Sequence, residues 1–367
     1  MLKLTFLGTS AGVPTKQRNV TALAIECLNP FFSGSKQESR KLRPWILIDC
    51  GEGTQHQLLH TKLSIHQLSA ICITHVHGDH CYGLPGLLAS AAMAGRRDPL
   101  TLIAPKAIAT LLEAIKLTTE LYFPFAIDFI AIEELLETQA GKVEITLNDQ
   151  HQLSIDITPL SHRVSSYGFG ITQNISRCLL NTDKLIAESI PAGALWGKLQ
   201  QGNDVITDGG RQLRSADYVD NEVQRTRIVV AGDNDTPDCL RAAVVDTDLL
   251  VHEGTYTHEV LTKIQSKNPD FDPMHSSAQL VGQFAQDANV KNLILTHFSA
   301  RYQSFDNPSS STPNMGHIRQ DAESVYQGNL WLAEDFDQYI VNGASDLIDS
   351  EDNDRVQYSG SVRDNAT

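Results

Sequence analysis

An α/β fold built from two related halves is what the sequence predicts, and three observations carry that expectation. Short apolar strand candidates in both halves end in the same kinds of polar residue, helical stretches alternate with them, and no apolar run is long enough to cross a bilayer. With 367 residues, 41% of them hydrophobic, the chain has apolar surface for a large core, as one big domain or two smaller ones.

Taken in order, residues 3–7, 21–27, 45–49 and 70–74 are short, apolar or β-branched, and closed by Gly, Asp or His, which marks strands. Between the second and third lies NPFFSGSKQESRKLRPW, a polar insertion that reads as an extended hairpin or loop. Helices are expected at residues 84–94 and 107–121. The second half echoes the order with RIVVAGDND (227–235), DLLVHEGTY (248–256) and NLILTHFSARY (292–302), each an apolar strand ending in ligand-type side chains. Ligands at the C-terminal ends of strands from both halves would meet in the crevice between two packed sheets. Residues 173–220 break the alternation; dense in Gly and Pro, they are expected to protrude. A second insert, DNPSSSTPNMG (306–316), is expected to be a mobile loop.

Charge limits the partners. Lys and Arg number 29 against 44 Asp and Glu, a net −15 that repels polyanions at long range. Part of the excess sits in residues 343–367, polar, acidic and nearly free of aromatics, which read as a disordered tail behind a domain of residues 1–342. Six cysteines, none in a C-x-x-C pair, indicate reduced structural thiols. The opening MLKLTFLGTS begins with strand-like alternation and lacks the regions of a signal peptide, so a cytoplasmic, soluble protein with no membrane partner is expected.

The chemistry concentrates in ITHVHGDHCYG. His75 and His77 stand two apart after a strand, where side chains i and i+2 point the same way, while Asp79 and His80 follow the Gly78 bend. One short loop can therefore address two metal ions, and imidazole with carboxylate suits zinc. A carboxylate from elsewhere would bridge the pair and leave room for a water. Such a centre makes a nucleophile at neutral pH and clamps both oxygens of a displacement at phosphorus or carbon.

H-x-H-x-D-H in this setting resembles the metallo-β-lactamase superfamily, which implies an αββα sandwich with metals at the edge of its two sheets. The resemblance extends to His162 in PLSHRVSSYGFG, Asp233 in VVAGDND and His297 in LILTHFSARY. It implies that His75, His77 and His162 hold one zinc, that Asp79, His80 and His297 hold the other, and that Asp233 bridges; manganese or cobalt would also suit these ligands. Within the superfamily, GTSAGVPTKQRN (8–19) is similar to the P-x-K-x-R-N loop of the ribonuclease Z family, with Lys16, Arg18 and Asn19 matched. DCGEGTQ, GDHCYGLPGLL, HEGTY and HSSA extend the match to about residue 340.

That resemblance implies an endonuclease removing the 3′ trailer from pre-tRNA after the discriminator base and leaving a 3′-hydroxyl, working as a homodimer. It implies that Asp79 serves as ligand and general base, that His252 protonates the leaving oxygen with Glu253 orienting it, and that His275 supports a ligand or touches substrate. An arm at about residues 173–202 would grip the tRNA, SIPAGALWGKL standing for the family's G-I-P-P-G-P-like stretch, with Arg177, Lys184 and Lys198 as its cations. Arg96 and Arg97 are either part of a basic footprint or a helix C-terminal cap. A hydrolase of a small phosphodiester, sulfate ester or thioester would share every metal ligand and differ in the loop and arm. A non-catalytic binding module would be expected to lack ligands, and all seven are present.

Overall fold

The computed structural model describes residues 1–29, 43–138, 141–148, 151–267, 271–345 and 355–362. The insertion expected as a loop or hairpin lies mostly outside them, at 30–42.

Two eight-stranded sheets form the centre. The first runs, in spatial order, Val356–Ser361, Asp337–Val341, Leu2–Gly8, Ala22–Cys27, Trp45–Ile48, Leu68–Cys72, Leu100–Ala104 and Ile127–Ala131. The second runs Asn329–Leu332, Asn292–Thr296, Leu249–Glu253, Val219–Val230, Ser166–Leu180, His151–Leu160 and Lys142–Asn148, with Ala344–Ser345 paired to Gln224 and Arg225 off this path. In each sheet an antiparallel stretch leads into four parallel strands. This is the internal echo that the strand-end residues predict.

Alternation along the strands builds four layers. Ile46 and Ile48 join the core between the sheets, with Ile155, Phe169, Val251 and Ile294, while Trp45 and Leu47 turn outward onto Leu84, Leu88 and Leu112 of the helices Leu84–Met93 and Lys106–Thr119. Leu250, Leu293 and Leu295 face the opposite helix layer of Ala278–Asp287 and Met315–Glu323 through Val281, Phe284 and Ile318. The result is a helix–sheet–sheet–helix sandwich. Among the described residues no helix is long and apolar enough to cross a membrane.

Three expectations need correction. The tail is not wholly disordered: Val356–Ser361 pairs antiparallel with Asp337–Val341, Val356 is buried, and Arg355 Nη1 lies 2.9 Å from Asp248. Backbone pairing is indifferent to the acidic composition that suggested disorder; residues 346–354 and 363–367 lie outside the described residues. The insert at 306–316 is tied down by Asn314, whose side chain accepts from Asn307 N (3.0 Å) and donates to the carbonyls of Asn307 and Thr312 (2.8 Å each). The arm reaches further than residue 202. The long strands Ser166–Leu180 and Val219–Val230 form a hairpin, and the segment between them closes around Leu185, Ile190, Leu199, Val205, Leu213 and Tyr218 as a separate small core.

Candidate metal centre

Every predicted metal ligand sits where a strand of the sandwich ends. His75 and His77 follow Leu68–Cys72, and the short helix Gly78–Cys81 then carries Asp79 in its first turn and His80 in its last. His162 follows His151–Leu160, Asp233 follows Val219–Val230, and His297 follows Asn292–Thr296. Gly232 permits the approach of Asp233: a Cβ there would lie 2.7 Å from Thr74 Cβ and 2.9 Å from the Tyr167 carbonyl. His297 adopts φ +57°, uncommon for a non-glycine residue, and is held in it on both sides by Gly254 N–H to Thr296 O and Phe298 N–H to Thr9 O.

The side chains converge as two quartets sharing one residue. In the first, His77 Nδ1 lies 3.1 Å from His75 Nε2 and 3.2 Å from His162 Nε2, and Asp233 Oδ2 lies 3.6 and 3.7 Å from the latter two nitrogens. In the second, His80 Nε2, His297 Nε2 and Asp79 Oδ2 stand 3.2 to 3.5 Å apart, and Asp233 Oδ1 is 3.4 Å from both nitrogens. Nitrogens about 2.0–2.1 Å from a tetrahedral zinc would be separated by about 3.3–3.4 Å, which these spacings bracket.

Outer partners decide which atoms face inward. His162 Nδ1 donates to the Met274 carbonyl at 2.8 Å, and His80 Nδ1 to Asp49 Oδ2 at 2.7 Å. The Thr74 hydroxyl donates to Asp49 and so accepts from His75 Nδ1; the Thr255 hydroxyl donates to Glu253 and so accepts from His297 Nδ1. Four Nε2 lone pairs therefore point at one another and at the Asp233 carboxylate, whose Oδ1 is buried and accepts no hydrogen bond. Lone pairs and carboxylates packed this closely require cations among them. The residues fit two N/O-liganded ions. Asp49 and the two threonines were missed in the sequence; the one signal was an aspartate closing the apolar strand WILID, the same pattern that marked Asp233.

Charge within the site agrees. Burial disfavours a charged His80, yet Asp233 and Asp49 on either side hold its pKa well above the ordinary value. A cation placed there would displace that proton. Burial would raise the Asp79 and Asp233 carboxyls, but the surrounding imidazoles hold both below the usual range.

His252, the expected proton donor, lacks the position for it. It is fully buried, its Nδ1 donates to the Glu253 carbonyl (2.8 Å), its Nε2 is 3.2 Å from Asn234 Nδ2, and burial lowers its pKa. Alternation in Leu249–Glu253 points it, like Leu250, to the helix side of the sheet. His275 is the histidine at the mouth of the site. Its ring is 18% exposed, packs against those of His162 and His297 (centroids 5.1 and 5.5 Å), and has Nδ1 3.1 Å from Glu253 Oε1 and 3.7 Å from Asp233 Oδ2. Burial opposes its charge, but Glu253 and Asp233 raise its pKa to about 9.

The substrate-binding expectations divide. Lys16 is exposed at the tip of its loop, and Lys198 is exposed on the arm helix Ala194–Gln200. Arg18 is buried, donating to the Tyr302 carbonyl (2.9 Å) with its guanidinium over Phe298, and Asn19 donates inward to the Glu52 carbonyl. These two hold the loop through Arg18 Nη1 and Asn19 Nδ2, while Arg18 Nη2, also buried, meets no acceptor among the described residues. Arg96 likewise is buried against the carbonyls of Ile65, Asp98 and Pro99.

Residues 2–190 match the family profile described as Anti-Pycsar protein Apyc1. The chain is 44% identical to Ribonuclease Z of Marinobacter nauticus over 338 residues, 92% of this chain and 96% of that one. It is 45% identical to Ribonuclease Z of Pseudomonas putida strain W619, at 93% and 96% coverage. Ribonuclease BN of Proteus mirabilis is 34% identical, at 92% and 99%. Among solved structures, human tRNase Z, short form, aligns with a TM-score of 0.56 at 22% identity, covering 92% of this chain and 98% of that one. The metallo-β-lactamase fold protein YhfI of Bacillus subtilis aligns at 0.54 and 16% identity, covering 94% and 98%. These two speak to the fold.

Proposed function

This chain belongs to the ribonuclease Z family, its residues 2–190 also to that of Anti-Pycsar protein Apyc1, and from the first membership we propose a two-zinc enzyme that cuts pre-tRNA after the discriminator base, leaving a 3′-hydroxyl on the tRNA. It is a metal-dependent endoribonuclease with the metallo-β-lactamase fold. The observation that carries the finer reading is the sharing of Asp233 by two ligand quartets, one carboxylate oxygen to each.

His75, His77, His162 and Asp233 Oδ2 would hold one zinc; Asp79, His80, His297 and Asp233 Oδ1 the other. Manganese or cobalt would suit the same donors. Bound there, the ions would supply Lewis acidity and a water of lowered pKa. The protein's own part is proton management and placement. Asp79 Oδ2, held by the Gly12 N–H at 2.7 Å, is the carboxylate best placed to take a proton from the nucleophile. His275 carries a proton at neutral pH because Glu253 keeps it there, and it stands beside Asp233 where the departing O3′ of the discriminator nucleotide would need it. Glu253 is in turn fixed by Asn234 N–H at 2.8 Å and by Thr255. His252 braces Asn234 from behind.

Lys16 on the loop and Lys198 on the arm are exposed cations that would meet RNA. The reading includes a homodimer in the cytoplasm, supported by family resemblance; light scattering should then give twice the 40.4 kDa of the chain. Incubating the zinc-loaded protein with a trailer-bearing pre-tRNA and sequencing the products tests the function. A single cut after the discriminator with a 3′-hydroxyl is expected. Turnover of bis(p-nitrophenyl) phosphate with intact pre-tRNA would favour a small-substrate hydrolase.

A further inference from the structure

Asp335 lies far along the chain from the metal ligands, just before the strand Asp337–Val341, and is 4% exposed. Among the described residues its carboxylate gathers three donors. Oδ1 accepts from the Thr9 hydroxyl at 2.8 Å; Oδ2 accepts from Asn19 N–H at 2.6 Å and from Gln57 Nε2 at 3.0 Å. Thr9 and Asn19 are the two ends of one loop, which is closed at its base by Thr9 N–H and Ser10 N–H to the Asn19 carbonyl (3.0 and 2.9 Å). A single buried carboxylate thus grips both ends of the loop, and charge-assisted bonds of this kind are among the strong ones.

The loop touches the metal centre twice. Gly12, at φ +70° in the left-handed region that glycine adopts freely, turns its N–H onto Asp79 Oδ2 at 2.7 Å. That oxygen is the one 3.3 Å from His297 Nε2 and 3.5 Å from His80 Nε2. At the other contact the Thr9 carbonyl accepts from Phe298 N–H, next to His297 with its left-handed backbone. Two of the three ligands peculiar to the second quartet therefore rest on the loop, whereas no hydrogen bond among the described residues ties it to His75, His77 or His162.

We propose that Asp335 is a positioning residue for the second metal site: it fixes the loop 9–19 so that Gly12 N–H stays on Asp79 and His297 keeps its pose. The loop then has two duties, an exposed tip at Lys16 for substrate and a base that sets metal affinity. This rests on the two-metal reading above. Removing partners that hold metal ligands commonly costs 10–100-fold in metal affinity or activity.

The test is chelator competition on the zinc-reconstituted full chain, comparing wild type with Asp335→Asn, Asp335→Ala and Thr9→Val. Asp335→Asn keeps the volume and one acceptor, so the fold should persist. One of the two zinc ions should bind roughly tenfold more weakly in Asp335→Ala and less so in the milder pair. Turnover of pre-tRNA and of bis(p-nitrophenyl) phosphate should fall together and recover in excess zinc. Unchanged zinc affinity with loss of pre-tRNA cleavage alone would overturn the proposal, leaving the loop an RNA contact only. Equal weakening of both ions with a lowered melting temperature would overturn it as general damage. A wild-type chain that binds no zinc would instead overturn the two-metal reading.

Discussion

In the metal centre, seven ligand side chains come from four separate stretches of chain, and each histidine that turns Nε2 inward is held from behind by a threonine, an aspartate or a carbonyl. In the arm, one continuous segment between the strands Ser166–Leu180 and Val219–Val230 folds around its own six buried side chains. Asn181 N–H meets the Tyr218 carbonyl at 2.8 Å, so the segment leaves and rejoins the body at one point. The centre needs the whole sandwich; the arm needs only a hairpin to stand on. The chemistry proposed for the centre and the RNA grip proposed for the arm should therefore be separable by mutation.

The largest effect should come from Asp233→Ala, which takes an oxygen from both quartets and leaves the Nε2 lone pairs facing one another. Cleavage of pre-tRNA and of bis(p-nitrophenyl) phosphate should both vanish, and zinc content should drop. Turnover within roughly tenfold of wild type, about 1.4 kcal/mol in barrier, would break the binuclear assignment.

His275→Ala should come next, slowing pre-tRNA cleavage by about 10²–10⁴-fold, the usual worth of a positioned acid. An activated ester needs little protonation of its leaving group and should suffer less. In the wild type the raised pKa keeps the proton on His275 below about 9, so that the donor persists through neutrality and is lost as pH rises past that value. A rate still climbing above pH 9 with pre-tRNA would remove His275 from the role.

Excising residues 182–217 and joining Asn181 to Tyr218 removes the arm and leaves the sandwich intact. Remote contacts lower the barrier only for substrates that reach them, so pre-tRNA processing should weaken while the small diester is cleaved as before. Equal loss on both would mean that the arm supports the centre after all.

The smallest effects separate bracing from binding. His252→Ala leaves Asn234 Nδ2 without its buried partner and should lower stability by about 1–3 kcal/mol, read in a denaturant titration, with little change in zinc content. Lys16→Ala or Lys198→Ala should leave stability alone. If either cation neutralises one phosphate, its loss reduces the slope of log affinity against log salt by about 0.7–0.9.

Much of the site was readable because its ligands are crowded or close apolar strands. Six consecutive residues hold four ligands, and Asp233 and His297 each follow an apolar run that marks out a strand. What stayed hidden depends on which way a side chain turns. His252 and His275 both occur in motif-like strings, yet only alternation within LLVHE, followed through two layers, buries the first and leaves the second at the mouth. Arg18 reads as a free cation until the Tyr302 carbonyl, in a distant segment, accepts a hydrogen bond from it. Asp335 carries no local signature, because its three donors lie 278 to 326 residues away. The strand Val356–Ser361 was lost to composition, which reports burial and says little about edge pairing.

On the proposed reading, two ions held on either side of Asp233 act together on RNA. The most direct measurement is a zinc titration of the metal-stripped protein with pre-tRNA cleavage followed at each addition. Two zinc ions per chain should bind, with activity appearing as the second site fills. Full cleavage with one equivalent, or with none, would contradict it.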